Sequence, residues 1–279
     1  MSITFTATPY SITIDNFQPG YTVDIVLPLH SRKLLNGKMK TWDDGSAYDR
    51  RILRAKTLVP AAQHADIMDF FFDTNKGRCQ NVTMALGASS TGFFPAGPDK
   101  GDLGNFVVFP LSIKTGQILQ QPWLHFSDEM EFLIVSAPAY SLPATTNFSQ
   151  GDFTLGSVSG LMQPQTGFNP ETTPALAKQY TGGMQGGYVD KGYGADTYLS
   201  KFSIQANHPK MAQLINYMTS TARGASFSIT NQANLYPLGG HFPDSWASYN
   251  VKLANETIVV SHTENTFETS FDVIYESAV

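Results

Sequence analysis

At 279 residues, 42% apolar and 12% aromatic, the chain has enough apolar side chain to bury one large core or two ordinary ones, which excludes an intrinsically disordered protein. Charged residues make up only 15%, against roughly 25% in an average soluble domain, so much of the surface is neutral and polar, as suits a subunit packed against neighbours. A net charge of -5 gives no electrostatic basis for tight nucleic-acid binding, and the single cysteine, Cys79, excludes an internal disulfide and a cysteine-rich zinc site.

Residues 1–17, MSITFTATPYSITIDNF, alternate polar and apolar side chains and predict strand. They lack the basic start and apolar run of a secretory signal, and no segment approaches the roughly 18 apolar residues of a membrane span. Synthesis in a cytoplasm is therefore expected, which leaves the sequons at Asn81, Asn147 and Asn255 as chance matches. From Lys40 to Arg51, KTWDDGSAYDRR sets Asp43, Asp44 and Asp49 around Trp42 and Tyr48. Paired carboxylates suit calcium binding or acid–base chemistry, but the spaced ligands of an EF-hand are missing and Asp-Asp-Gly is a tight-turn sequence. A turn is the expected reading. Arg50, Arg51, Arg54 and Lys56, the nearest approach to a basic patch, read as solvated or interface charges on a strand edge.

LRAKTLV from Leu53 predicts a strand leading into a helix, AAQHADIMDFFFDTN, on which His64, Ile67, Met68, Phe71 and Phe72 form one apolar stripe. Pro60 stands near its start and Gly77 beyond its end, where each is favoured. The pattern then switches to period two in CQNVTMAL, where Cys79 reads as a small buried strand residue. GNFVVFPLSI, ending at Ile113, and SDEMEFLIVSA, from Ser127, predict further strands. A run of Pro, Thr, Ser, Asn and Gly between residues 141 and 152 then suggests a boundary, giving domains 1–145 and 146–279.

A shift of 147 positions lays the first helical region on a second copy: Ile67 meets Leu214, Phe70 meets Tyr217, Phe71 meets Met218, Gly77 meets Gly224 and Val82 meets Ile229. An ungapped run that keeps size and polarity is the mark of an internal duplication. Met211, Leu214, Ile215 and Met218 repeat the apolar stripe, Pro209 lies near the start, and SFSIT repeats the following strand. Leu53 corresponds to Leu199, Ile113 to Glu256, Glu129 to Glu268 and Phe132 to Phe271, with insertions in the first copy's loops. Each half reads as strands, one helix, then strands. The fold class is mainly β (α+β): two tandem, mostly antiparallel β-sandwich or half-barrel domains, each with one amphipathic helix, and too few helices for an alternating βαβ enzyme.

No candidate chemistry survives this reading. YTGGMQGGYVDKGYGAD, from Tyr180 to Asp196, has no phosphate-binding fingerprint; its Gly and Tyr suit either a hairpin arm reaching a neighbouring subunit or a sugar-binding loop. The loops from Ser90 to Phe106 and from Ala233 to Tyr249 share an aromatic-Pro pair, Phe94-Pro95 and Tyr236-Pro237, and are one loop in two copies. His241, Asp244 and Ser245 lack a nucleophile elbow, and His64, His125, His208 and His262 lie singly, without metal spacing. No catalytic, cofactor-binding or metal residue is assigned, no cofactor is expected, and the chain is expected not to be an enzyme.

The unit of strand, amphipathic helix, Arg-Gly or Gly-Arg, then strand, carried by AAQHADIMDFFFDTNKGRCQNVTMAL and HPKMAQLINYMTSTARGASFSIT, resembles the tail-tube-like β domains of tailed bacteriophages, found in tube, distal-tail and minor tail or baseplate proteins. The likeness covers about residues 53–86 and 199–230. It implies sixfold rings around a channel, with sheets joined edge to edge and the helix outside. Two domains per chain then imply a homotrimer that is pseudo-hexameric, with a homohexamer as second choice, adjoining other tail ring proteins. DNA would pass without specific binding, helped by the acidic excess, and no membrane partner is implied. The expected location is the virion tail. A reading of a different class is a carbohydrate- or receptor-binding β protein of the tail tip, with Trp42, Trp123 and Trp246 as stacking platforms; core or interface packing is the simpler role for them.

Overall fold

The computed structural model describes residues 2–18, 20–33, 39–45, 50–74, 80–86, 105–120, 123–136, 153–161, 170–173, 176–179, 187–190, 197–231, 248–263 and 266–278. In the first half, β1 (Ile3–Ala7), β2 (Tyr10–Ile14), β3 (Thr22–Val26), β4 (Leu29–Lys33), β5 (Met39–Asp43) and β6 (Arg50–Pro60) lead into α1 (Ala61–Met68). That helix continues as a π-helical turn (Asp69–Thr74), followed by β7 (Val82–Leu86), β8 (Asn105–Gln120) and β9 (Trp123–Ser136). In the second half, β10 (Phe153–Leu155), β11 (Val158–Leu161), β12 (Pro170–Thr173), β13 (Leu176–Gln179), β14 (Gly187–Asp190) and β15 (Thr197–Ala206) lead into α2 (His208–Ser220). Then come β16 (Phe227–Asn231), β17 (Ser248–Leu253), β18 (Thr257–Thr263) and β19 (Thr266–Ala278).

The architecture is mainly β, and the strands pair antiparallel throughout the described residues. In the first half the hydrogen-bonded order is β2-β1-β7-β8-β9-β6-β3; in the second it is β11-β10-β16-β17-β19-β15-β12. Strand for strand the two orders are the same. Even the small hairpins agree: β4–β5 lies between β3 and β6 in the chain, and β13–β14 between β12 and β15. One ladder lacks a counterpart. β3 pairs with β18, and this joins both halves into one continuous sheet. The expected division between residues 145 and 146 falls outside the described residues.

Within the first half the sheet curls back on itself. β1 and β9 are three strand spacings apart, which in a flat sheet is about 14 Å, yet the rings of Phe5 and Phe132 stack at 5.2 Å. The chain after β2 closes the curl along β6: Phe17 bridges Thr57, Gln18 N donates to Lys56 O at 2.8 Å, and Leu58 N donates to Asn16 O at 3.3 Å. The second half curls likewise, bringing Phe153 of β10 to 5.9 Å from Phe202 of β15. Alternation along the strands sends Leu53, Ala55, Thr57 and Val59 inward on β6, and Phe202, Ile204 and Ala206 inward on β15.

The helices seal the inner face. In α2 the four stripe residues Met211, Leu214, Ile215 and Met218 are all fully buried, as their spacing predicts. Its start is capped by Asn207, whose side chain accepts from Lys210 N at 3.2 Å, with Pro209 in the first turn. In α1 the expected stripe needs correction: Ile67, Phe70 and Phe71 are buried, whereas Phe72 is 41% exposed and Met68 only partly covered. Phe72 stands five residues after Ile67, about 140° around a helical wheel, so Phe70 takes the inward place.

The strand alignments also need correction. Pro60 and Asn207 occupy the same cap, so Ala55 corresponds to Phe202, both buried; pairing Leu53 with Leu199 slips by one residue and would set buried Ala55 against exposed Lys201. On the neighbouring strand Met130 faces Ala55 and Phe271 faces Phe202, so Phe271 corresponds to Met130 rather than to Phe132, and Glu268 not to Glu129. Val82, beside Val108, matches Phe227, beside Val251, rather than Ile229. These last slips are of two residues and preserve the faces, so the burial pattern alone did not betray them.

Candidate functional site

The feature that sets this chain apart from two copies of a small β fold is the seam between them. β3 and β18 align Ile25 with Ile258, Val23 with Val260 and Asp24 with Val259, and Leu27 N extends the ladder to Glu256 O at 2.7 Å. At its far end His262 N donates to Tyr21 O at 3.1 Å, and the two rings stack at 4.8 Å, with Phe267 5.0 Å from the imidazole. Burial pushes the Tyr21 phenol well above its ordinary value and holds the His262 imidazole below its own.

A second seam contact uses the acidic loop of the first half. Asp43 Oδ1 accepts from Gly45 N at 2.9 Å, while Oδ2 accepts from Arg223 Nε of the second half at 2.6 Å. Gly45 takes a φ of 80°, in keeping with the expected turn. Gly224, at φ 69°, lies so close that a Cβ there would meet the Asp43 Cβ at 2.9 Å. Asp43 therefore serves as a clasp, and Gly224, three residues beyond the Thr221 cap that ends α2, is needed for close approach as well as for its backbone angle. Ser46 to Asp49, Cys79 and His241, Asp244 and Ser245 lie outside the described residues.

The outer face of the sheet, turned away from the helices, carries a ladder of paired charges. Arg54 on β6 bridges Asp24 of β3 and Glu131 of β9, its Nε 2.9 Å from Glu131 Oε1, and Ser112 of β8 donates to the same carboxylate at 2.9 Å. Lys56 and Glu129 pair at 2.6 Å. The hydrogen bond from Arg54, then that from Ser112, holds Glu131 below the usual carboxylate range, and Lys56 does the same for Glu129. Arg50, Arg54 and Lys56 are exposed strand charges, as expected, but β6 lies between β3 and β9 rather than at an edge, and Arg54 is tied on both sides. In the second half the equivalent face is quieter: Ser203 donates to Glu268 at 2.6 Å and Gln205 meets Thr266 at 2.7 Å.

Beneath α1 lies a polar cluster that sequence reading missed. His64 Nδ1 is 2.9 Å from Asp128 Oδ2, its ring stacks on Phe126 at 4.1 Å, and Thr57 is the cross-strand neighbour of Asp128. Asp128 and Thr57 are both fully buried. The signal was available, since Asp128 falls on the inward positions of an alternating strand. Among the described residues no group of three or more His, Cys, Asp or Glu is arranged to hold a metal ion, and no helix is long and apolar enough to cross a membrane. His64, His125 and His262 stand apart on α1, β9 and β18.

Of the tryptophans, Trp42 is 39% exposed on β5, its ring 5.7 Å from His30. Trp246 lies outside the described residues. The Gly- and Tyr-rich stretch contributes β14, paired with β13 as a hairpin. Asn255, taken as a chance sequon, has a structural role: its Nδ2 donates to Asp272 Oδ2 at 3.0 Å and its Oδ1 accepts from Asp272 N, pinning the break between β17 and β18. No protein-family model and no curated protein matches the sequence.

Proposed function

We propose that the chain is a structural virion protein of a phage tail that assembles as a closed ring around the DNA channel, as a homotrimer presenting six pseudo-equivalent repeats. One observation carries this reading: the same seven-strand order occurs twice and is fused edge to edge through β3 and β18. A repeat that already extends its sheet sideways into its own sibling has the surface needed to extend it into the next chain. The outer face, where Arg54 and Lys56 are paired with acids on neighbouring strands, suits a channel wall, because cations already neutralised hold phosphate less strongly. The helices cover the opposite face and would lie outside. Mass photometry and negative-stain imaging of the purified protein test this, with a trimer showing a central hole and six lobes as the expected result. A stable monomer at high concentration overturns it.

The exposure of Trp42 beside His30 favours one alternative, a carbohydrate- or receptor-binding protein of the tail tip. Glycan-array binding that disappears on Trp42→Ala would select that reading.

A further inference from the structure

The unmatched ladder makes a specific demand. β3 pairs on one side with β6 and on the other with β18, whereas its counterpart β12 pairs only with β15 among the described residues. In the same way β18 pairs with β19 and β3, whereas among the described residues the part of β8 that corresponds to it pairs only with β9; β7 covers β8 no further than Val108. Among the described residues two backbone edges are thus left without a partner strand, and they are the two that the seam joins in the other repeat. An unpaired row of N–H and C=O groups is a template for another strand.

We infer that β12 of one chain pairs antiparallel with the distal half of β8 of the next, repeating between chains the ladder that β3 and β18 make within one. This deepens the ring reading and rests on it. The register follows from the ladders already present. Asp24 lies beside Ile52 as Glu171 lies beside Leu199, the residue that corresponds to Ile52 once Pro60 is set on Asn207. Val259 lies beside Ser270 as Lys114 lies beside Glu129, and Ser270 corresponds to Glu129 once Phe271 is set on Met130. Since Asp24 faces Val259 across the seam, Glu171 faces Lys114 across the new one. Thr172 then stands against Ile113 and Thr173 against Ser112, as Ile25 stands against Ile258 and Val26 against Thr257. The residues brought face to face include an acid and a base directly opposite, an arrangement that stabilises an antiparallel pair. Pro170 begins its strand, where a proline is tolerated. A head-to-tail contact of this kind joins unlike surfaces, the type of interface that gives a ring when its rotation closes and a filament when it does not.

The test uses the full chain with Cys79→Ser. Lys114→Cys combined with Glu171→Cys places the two thiols on directly opposed positions, about 5 Å apart, and mild oxidation is expected to give dimers and trimers on non-reducing gels. Lys114→Cys with Thr172→Cys, which moves one thiol to the other face, gives none. Lys114→Glu or Glu171→Lys alone raises the concentration needed for assembly by up to roughly fivefold per junction at low salt, and the two together restore it. If the unmodified chain forms rings but the thiols fail to link and the charge reversals have no effect, this junction is wrong while the ring stands. If the unmodified chain stays monomeric, ring and junction both fall. A cross-link confined within one chain also overturns the junction.

Discussion

The two repeats share a pairing order but solve the space under their helices differently. In the second, the positions corresponding to His64, Thr57 and Asp128 hold Met211, Ile204 and Thr269, all buried, so no ion pair stands there; the buried charge of this half is instead Lys210 on α2 itself, whose Nζ donates to Ser159 O at 2.7 Å. In the first, a fully buried carboxylate meets a partly covered imidazole beside a buried threonine. Burying a carboxylate is costly unless it is paired, so the cluster holds only as a set. The two halves therefore keep one strand order while placing their buried charge differently, on the strand beneath the helix in the first and on the helix in the second.

The largest expected effect tests the aromatic side of this contrast. Phe5 meets Phe17, Phe71 and Phe132 at 6.2, 5.4 and 5.2 Å, whereas Phe153 meets Phe202 at 5.9 Å. Phe5→Ala should cost about 4 kcal/mol in chemical denaturation, and Phe153→Ala less. Equal losses would show that the two cores carry equal weight. Next comes the polar cluster. His64→Met strands the Asp128 carboxylate and should cost about 3 kcal/mol, while the triple change His64→Met, Asp128→Thr and Thr57→Ile, which installs the second copy's set, should recover most of it. A triple variant no better than the single one would mean that the first copy's backbone has diverged too far to accept that set.

The smallest effect is at the seam, where the copies touch. Burial keeps the His262 imidazole below its ordinary value, so the unfolded chain takes up a proton at higher pH than the folded one. Stability from this residue is full above the ordinary histidine value, about 6.5, and is lost as pH falls through it toward the lower folded value. Tyr21 acts at the other limit: its raised phenol means that stability is lost as pH climbs past about 10. Thermal melts between pH 7 and 5 should show a loss that His262→Phe, which keeps a ring against Tyr21, largely removes. An unchanged pH slope in that variant would locate the acid sensitivity elsewhere than His262; Glu129 and Glu131, held below the usual carboxylate range, lose their partners' support only at pH values below this window.

Much of this fold was legible in the residues, because periodicity is a local signal. The α2 stripe and both helix starts followed from spacing alone. The recurrence of a helix followed by a strand in both halves was legible too, since the helices and the glycine beyond them keep size and polarity in a gapless run. Strand registers were not. A period of two makes a slip of two residues invisible, which is how Phe132 came to be matched with Phe271, and a single shared leucine was enough to misplace Leu53 by one. The seam was least legible, because β3 and β18 are distant in sequence and nothing in either strand names the other.

That distance has a consequence for how the molecule is made. β1 to β9 hold their own closing contacts within the first half of the chain, but the free side of β3 waits until Thr257 to Thr263 leave the ribosome. A nascent chain thus carries an open strand through most of its translation, a period in which a neighbouring nascent chain can take the place of the proper partner. Slowing elongation ahead of β18 should raise swapped species without altering the finished fold.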